Sequence, residues 1–349
     1  MIAPAMRRRS LTLALIGLAA LAILYTIYWF ILARILDENI AGWAALRRAE
    51  GYAVGYEATS IGGYPFTLTT RFRNPEIAAP HGAWRWRGAE TQLRLLPWAP
   101  YTLQFWAPGR HRLQLGGPDP REVEISGDWL SLDIHLQDGV LPDRFGFTLG
   151  AGVIDDGRSG VVTMQLLAAE ARLPRPPAGD PDKSSLDLLA NVLKLELPCG
   201  AEVLGREIWA AHLAAQVMGT VPDGEPREAM AAWSDAGGAL ELRRLEGYWA
   251  GVYFKGDGTL ALDRSLQPLF AGSFAVAGLG GMLDKLAAAG ILQPGPAQMA
   301  KLMFAALAAP PPDGGPPQVK LPLTVQDGYL YTGPIKLAPL RPFDWSWLP

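Results

Sequence analysis

Hydrophobic and polar residues follow two different periods along this chain. It opens on an unbroken apolar run, "LTLALIGLAALAILYTIYWFILA" at residues 11–33. No charge interrupts the run, and at ~1.5 Å per residue it rises ~34 Å, enough to cross a hydrocarbon core of ~30 Å. Residues 34–50 keep a helical period, with Leu36, Ile40, Trp43 and Ala44 on one face, and Gly51 stands where a helix ends. Beyond Gly51 the period falls to two. In "SIGGYPFTLTTRFRNP" the residues Phe66, Leu68, Thr70 and Phe72 fall on one side, and Thr67, Thr69, Arg71 and Arg73 on the other. That pattern predicts a half-buried strand. Gly62-Gly63 lets the chain reverse, and Pro65 suits a strand's first residue, so the stretch reads as the second arm of a hairpin begun by "YAVGYEAT".

The same alternation recurs at Leu93 and Leu95, at Leu103 and Phe105, and at Leu113 and Leu115. It is clearest in "WLSLDIHLQDG", where Leu130, Leu132, Ile134 and Leu136 oppose Ser131, Asp133, His135 and Gln137. "VVTMQLLAAEARLP", "NVLKLELP" and "IWAAHLAAQVMGTVP" are also predicted as strands. "LPRPPAGDPDK" at residues 173–183 reads as a loop or linker between two β halves, 51–172 and 184–349. Helices are predicted around 225–236 and 277–309, the second broken near "LQPGPAQ"; Asp257-Gly258 and Asp327-Gly328 read as hairpin turns. The expected fold is mainly β: an N-terminal transmembrane helix, then a curved antiparallel β-sheet, groove or open barrel-like, with a few packing helices.

Arg7, Arg8 and Arg9 precede the apolar run and favour a cytoplasmic N-terminus, although Arg34, Arg47 and Arg48 follow it. Residues 1–10 are then a cytoplasmic tail and residues 34–50 a juxtamembrane helix. The expected location is a bacterial inner membrane, crossed once, with the bulk of the chain periplasmic. Tyr25, Tyr28, Trp29 and Phe30 are placed at the membrane interface, which suits aromatic rings. Ala20-Leu21-Ala22 has the small-residue form of a signal cleavage site, but apolar residues continue well beyond it, further than the ~7–15 of a signal h-region. An uncleaved anchor is the reading taken.

Composition narrows the chemistry. The 39 glycines and 30 prolines are spread along the chain and punctuate many short elements, which favours β structure. A net charge of −3 argues against a nucleic-acid partner. Cys199 is the single cysteine, so an internal disulfide and a Cys-pair zinc site are excluded, and it reads as a small apolar residue. His81, His111, His135 and His212 stand far apart without metal-ligand spacing; His111 and His135 are read as solvated, on the polar sides of their strands. No H-E-x-x-H and no G-x-S-x-G occur. Asp155-Asp156 reads as a polar turn with Gly157, "GLGG" at 278–281 as close helix packing, and "WRWRG" at 84–88 as a strand with outward arginines. No catalytic residue, metal site or cofactor is therefore expected. The remaining candidates are the apolar strand faces themselves: Phe66, Leu68, Phe72, Leu103, Phe105, Leu132, Ile134 and Leu136. Periodicity leaves two coverings open, a closed core or a groove filled partly by a lipid tail.

The single span, "GYPFTLTTRFRNP", "DAGGALELRRLEGYWAGVYFKGDGTLALD", "GMLDKLAAAGIL" and "VKLPLTVQDGYLYTGPIKLAPL" together resemble the uncharacterised proteobacterial family called domain of unknown function 2125. The arrangement also looks like the wider AsmA-like group of envelope proteins. That resemblance implies an inner-membrane anchor and a long curved sheet with an apolar groove, with some relatives implicated in moving phospholipid toward the outer membrane; it implies no catalytic residue. The leading expectation is a non-enzymatic, anchored periplasmic protein holding membrane lipid. The alternative is an envelope structural or assembly factor that binds other envelope proteins by its sheet edge, with Trp84 and Trp86 outward. An enzyme ranks third, because paired carboxylates on distant strands leave no motif.

Overall fold

The computed structural model describes residues 4–117, 119–139, 141–175, 180–198, 203–312, 314–343 and 345, and the side chains of α1 from residue 12 onward. Cys199 lies outside the described residues. The chain divides into two compact units, Met1–Glu122 and Val123–Pro349.

In the first unit the apolar run and the residues that follow it form one continuous helix, α1 (Pro4–Ala49), long and apolar enough to cross a membrane. Two strands follow, β1 (Ala53–Ala58) and β2 (Leu68–Ala78), antiparallel from Ala53↔Ala78 to Ala58↔Phe72. This is the predicted hairpin, but its second arm begins at Leu68. Phe66 lies outside the strand: its N–H and that of Thr67 both bond the Gly63 carbonyl, so residues 63–67 are spent in a turn. The short strands β3 (Trp84–Arg87), β4 (Thr91–Leu96), β5 (Ala99–Trp106) and β6 (Gly109–Leu115) complete this unit's sheet. β2 pairs with both β3 and β4, β5 with β4, and β6 with β3.

The apolar face of that sheet is covered by α1. Trp29 and Leu36 pack on Leu68, Leu93 and Leu95, and Phe72, Leu103 and Phe105 ring the cluster. Each large side chain buried in this way contributes roughly 1.5–3 kcal/mol. The helix is also pinned by hydrogen bonds. Trp29 Nε1 donates to the Thr67 carbonyl (3.1 Å), Tyr28 Oη to Pro97 (2.7 Å), and the Arg48 guanidinium to Val54.

The second unit is a meander. β7 (Arg121–Gly127) straddles the division, and β8 (Trp129–Gln137) and β9 (Leu141–Asp155) follow. Next come β10 (Val161–Arg172), β11 (Ser184–Glu196) and β12 (Glu207–Met218). Helix α2 (Pro226–Asp235) precedes β13 (Ala239–Trp249), β14 (Val252–Leu262) and β15 (Pro268–Ala277). Two helices, α3 (Leu279–Ala288) and α4 (Pro294–Leu307), lead into β16 (Val319–Gln326), β17 (Tyr329–Thr332) and β18 (Ile335–Pro339). Each strand from β8 to β18 pairs antiparallel with the next. The protein is thus mainly β and antiparallel, with a long N-terminal helix and three packing helices.

Two expectations need correction. Residues 173–183 do not separate two halves: they join β10 to β11, which pair up to Arg172↔Asp187 within the second unit. Asp257-Gly258 is not a turn either, since both residues lie in the middle of β14. The glycine is there because the Phe270 ring lies across it: a Cβ at Gly258 or Gly272 would collide with that ring. The reversal occurs instead at Ala250-Gly251, both with positive φ. Asp327-Gly328 does form the turn between β16 and β17. "GLGG" opens α3, and a Cβ at Gly278 would strike the Gly251 carbonyl, which is the close packing expected of it. On this side, Val252, Phe274 and Val276 form a buried cluster with Leu279 and Met282 of α3.

Candidate functional site

Cross-strand partners share a face, so the registers show which residues form each surface of the second unit. One row runs Ile134↔Phe145↔Ala171↔Leu188↔Ala215↔Leu242 from β8 to β13. The row beside it runs Leu132↔Phe147↔Ala169↔Ala190↔Leu213. A third runs Leu130↔Leu149↔Leu167↔Val192↔Ala211. No polar residue occurs in these rows. Of their members in β8 to β12, Leu149 and Ala215 are buried and the rest stay partly exposed. The main neighbours of β9 to β12 are the adjacent strands, whereas the far end of the meander has α3 packed on it. Ala169, Ala171, Ala190, Ala211 and Ala215 make a low floor between the taller Phe145, Phe147, Leu188 and Leu213. This apolar face is the candidate site.

The opposite face is mixed: its polar residues pair with one another, and Leu189 and Leu193 stand exposed among them. Asn191 Oδ1 and His212 Nδ1 are 2.6 Å apart, the Gln216 amide donates to Asp187 (2.8 Å), and the Arg243 guanidinium donates to Gln216 (2.7 Å). A depression of about 550 Å³ here is lined by Asn191, Leu193, Trp209, His212, Glu246 and Tyr253, among others, and its walls are mostly apolar. Its one carboxylate is engaged, since Tyr253 Oη donates to it (2.7 Å) and Arg244 pairs with it. Partial burial pushes Glu246 up, but the Tyr253 and Arg244 hydrogen bonds outweigh it and hold the carboxyl below its ordinary value. It is charged and held, an acceptor rather than a proton donor.

The sequence-predicted residues separate into three groups. Leu68, Phe72, Leu103 and Phe105 come together in the first unit, but α1 covers them, so they belong to a filled core. Leu132 and Ile134 lie on the apolar face of the second unit, both half-buried. Leu136 follows them past a register shift between His135 and Leu136. Phe66 stands alone on the 63–67 turn, 68% exposed. Among the proposed interface aromatics, Trp29 is 3% exposed and packed against the Tyr64 ring, while Tyr25 Oη donates to the Pro65 carbonyl. Phe30 and Tyr28 remain exposed.

Sequence reasoning missed Phe145, Phe147 and Leu149, although "RFGFTLG" carries the same alternation as β8. His111 was misplaced. It shares its strand face with Leu113, is 3% exposed, sits 2.7 Å through Nε2 from the Ala107 carbonyl, and stacks on Trp86. Trp84 and Trp86 are therefore not outward; they lean on Tyr52 and His111, and it is Arg85 and Arg87 that point out, to Glu76. His135 lies 2.6 Å from Asp143, whose carboxyl that hydrogen bond lowers. Asp156 caps the predicted turn, accepting from the Ser159 hydroxyl and from the Arg158 and Ser159 N–H groups, which bring its carboxyl to about 2. Among the described residues no group of three or more His, Cys, Asp or Glu is placed to hold a metal.

Compared with known proteins, residues 29–341 match the model of a family described as "Uncharacterized protein conserved in bacteria (DUF2125)". No curated protein and no solved structure matches.

Proposed function

The chain belongs to that family, DUF2125, and on that footing we propose that it is a non-enzymatic, membrane-anchored envelope protein whose β8–β12 face receives a lipid acyl chain. The observation that carries the reading is the wholly apolar, partly exposed face with an alanine floor. Five strands at ~4.8 Å spacing present about 20 Å of that floor, a length suited to one extended acyl chain. A dozen buried methylenes are worth about 10 kcal/mol at ~0.8 kcal/mol each. Association costs about 4–15 kcal/mol, so the lipid is held exchangeably rather than sealed in. The apolar run of α1 serves as the anchor, with Arg7–Arg9 keeping the N-terminus cytoplasmic and the sheet units periplasmic. The likeness to AsmA-like envelope proteins supports the same reading.

The test is extraction of the full chain purified in mild detergent. A phospholipid or fatty acid should co-purify at close to one per chain by native mass spectrometry. An empty chain with its β8–β12 face protected from hydrogen exchange contradicts the proposal. A second reading, docking of an envelope protein, is favoured by α4, where Met299, Leu302, Met303 and Leu307 form an exposed apolar stripe. A protein co-purifying in the absence of lipid supports it.

A further inference from the structure

Two loops of the first unit stand beside α1 where a membrane-spanning helix still needs lipid. Counting from Arg9, residues 10–24 rise only about 22 Å, short of the ~30 Å hydrocarbon core. The missing length falls on Tyr25 to Phe30, the level at which the sheet is docked. Tyr25 Oη bonds the Pro65 carbonyl, Thr26 Oγ1 lies 2.7 Å from Tyr64 Oη, and Tyr28 Oη bonds the Pro97 carbonyl (2.7 Å). These bonds hold the 62–66 loop and the Pro97-Trp98 turn between β4 and β5 against the helix, at the sheet end where Leu68 pairs with Leu95.

The loops have the character of that environment. Tyr64 and Phe66 on the loop, Trp98 on the turn and Tyr101 at the start of β5 are 50, 68, 65 and 52% exposed. No charged residue occurs in 61–70 or in 95–109, whereas Arg71, Arg73, Arg94 and Arg110 begin just beyond them. Exposed aromatics on charge-free tips, at a fixed height on an apolar helix, match a lipid–water boundary and would be costly in water. We propose that the first unit does not hang free from its anchor: Tyr64-Pro65-Phe66 and Trp98 to Tyr101 insert into the leaflet from which α1 emerges. The occupant of this surface is the phospholipid of the same membrane. The inference rests on reading α1 as an uncleaved span.

The experiment reconstitutes the full chain in phosphatidylcholine–phosphatidylglycerol vesicles. An environment-sensitive dye is placed singly through Leu18→Cys, Phe66→Cys, Trp98→Cys or Arg85→Cys, each in a Cys199→Ser background. Dyes at 66 and 98 should show blue-shifted emission, quenching by shallow spin-labelled lipid and loss of iodide quenching. The dye at 18 should respond to deep spin-labelled lipid and the dye at 85 to iodide alone. Dyes at 66 and 98 that stay open to iodide while position 18 is lipid-quenched overturn the insertion and leave the anchor standing. A position 18 untouched by lipid overturns both.

Discussion

Leu68→Asp should abolish folding of the first unit, leaving no cooperative melting transition and rapid proteolysis between β1 and β6. Leu68 is 0% exposed, enclosed by Trp29, Leu36, Leu93 and Leu95. Removing its side chain alone costs about 2–5 kcal/mol. The carboxylate adds the cost of desolvating a charge or of taking up a proton to stay neutral, which comes to several kcal/mol more. The sum is of the order of a whole domain's stability, about 5–15 kcal/mol. Leu68→Met, which keeps the volume, should cost less than ~1.5 kcal/mol. An unchanged melting curve for Leu68→Asp would mean that α1 does not cover this strand.

The second large effect concerns ligand rather than fold. Ala169→Trp with Ala190→Trp should empty the proposed lipid site while the chain stays folded. These two alanines face each other across β10 and β11 on the apolar floor. Two indoles there exclude three or four methylenes, worth roughly 3 kcal/mol at ~0.8 each, or about a 100-fold loss of affinity at 1.4 kcal/mol per factor of ten. Asn191→Trp, one residue along and on the opposite face, should leave lipid binding intact. Titration of a fluorescent fatty acid into both variants and the unsubstituted chain makes the comparison; equal affinity in all three would place the ligand elsewhere.

How much of this was legible depends on distance along the chain. The alternation of Leu130, Leu132 and Ile134 identified the apolar face of β8 because period two is local. The joining of that face to Phe147, Ala169, Ala190 and Leu213 needs registers that no single strand encodes. In the first unit the same kind of alternation, at Leu68 and Phe72, ended in a closed core. Its cover, Trp29 and Leu36, lies far back in the chain, where the sequence places Trp29 at the membrane interface and Leu36 on the juxtamembrane helix. Phe66 continued the alternating pattern on paper, but hydrogen bonds to Gly63 fold residues 63–67 into a turn before the strand begins. Asp257-Gly258 has the composition of a hairpin turn, yet the absent side chain serves the Phe270 ring instead. His111 looked solvated because an imidazole is polar; the Trp86 ring and the Ala107 carbonyl that enclose it come from neighbouring segments.

The most direct measurement is site-specific photocrosslinking in living membranes, with a benzophenone side chain placed at Ala190 on the proposed lipid face or at Asn191 on the opposite one. A lipid-mass adduct at 190 and none at 191 is the predicted result; equal labelling at both positions, or protein adducts alone at 190, contradicts a lipid-holding face.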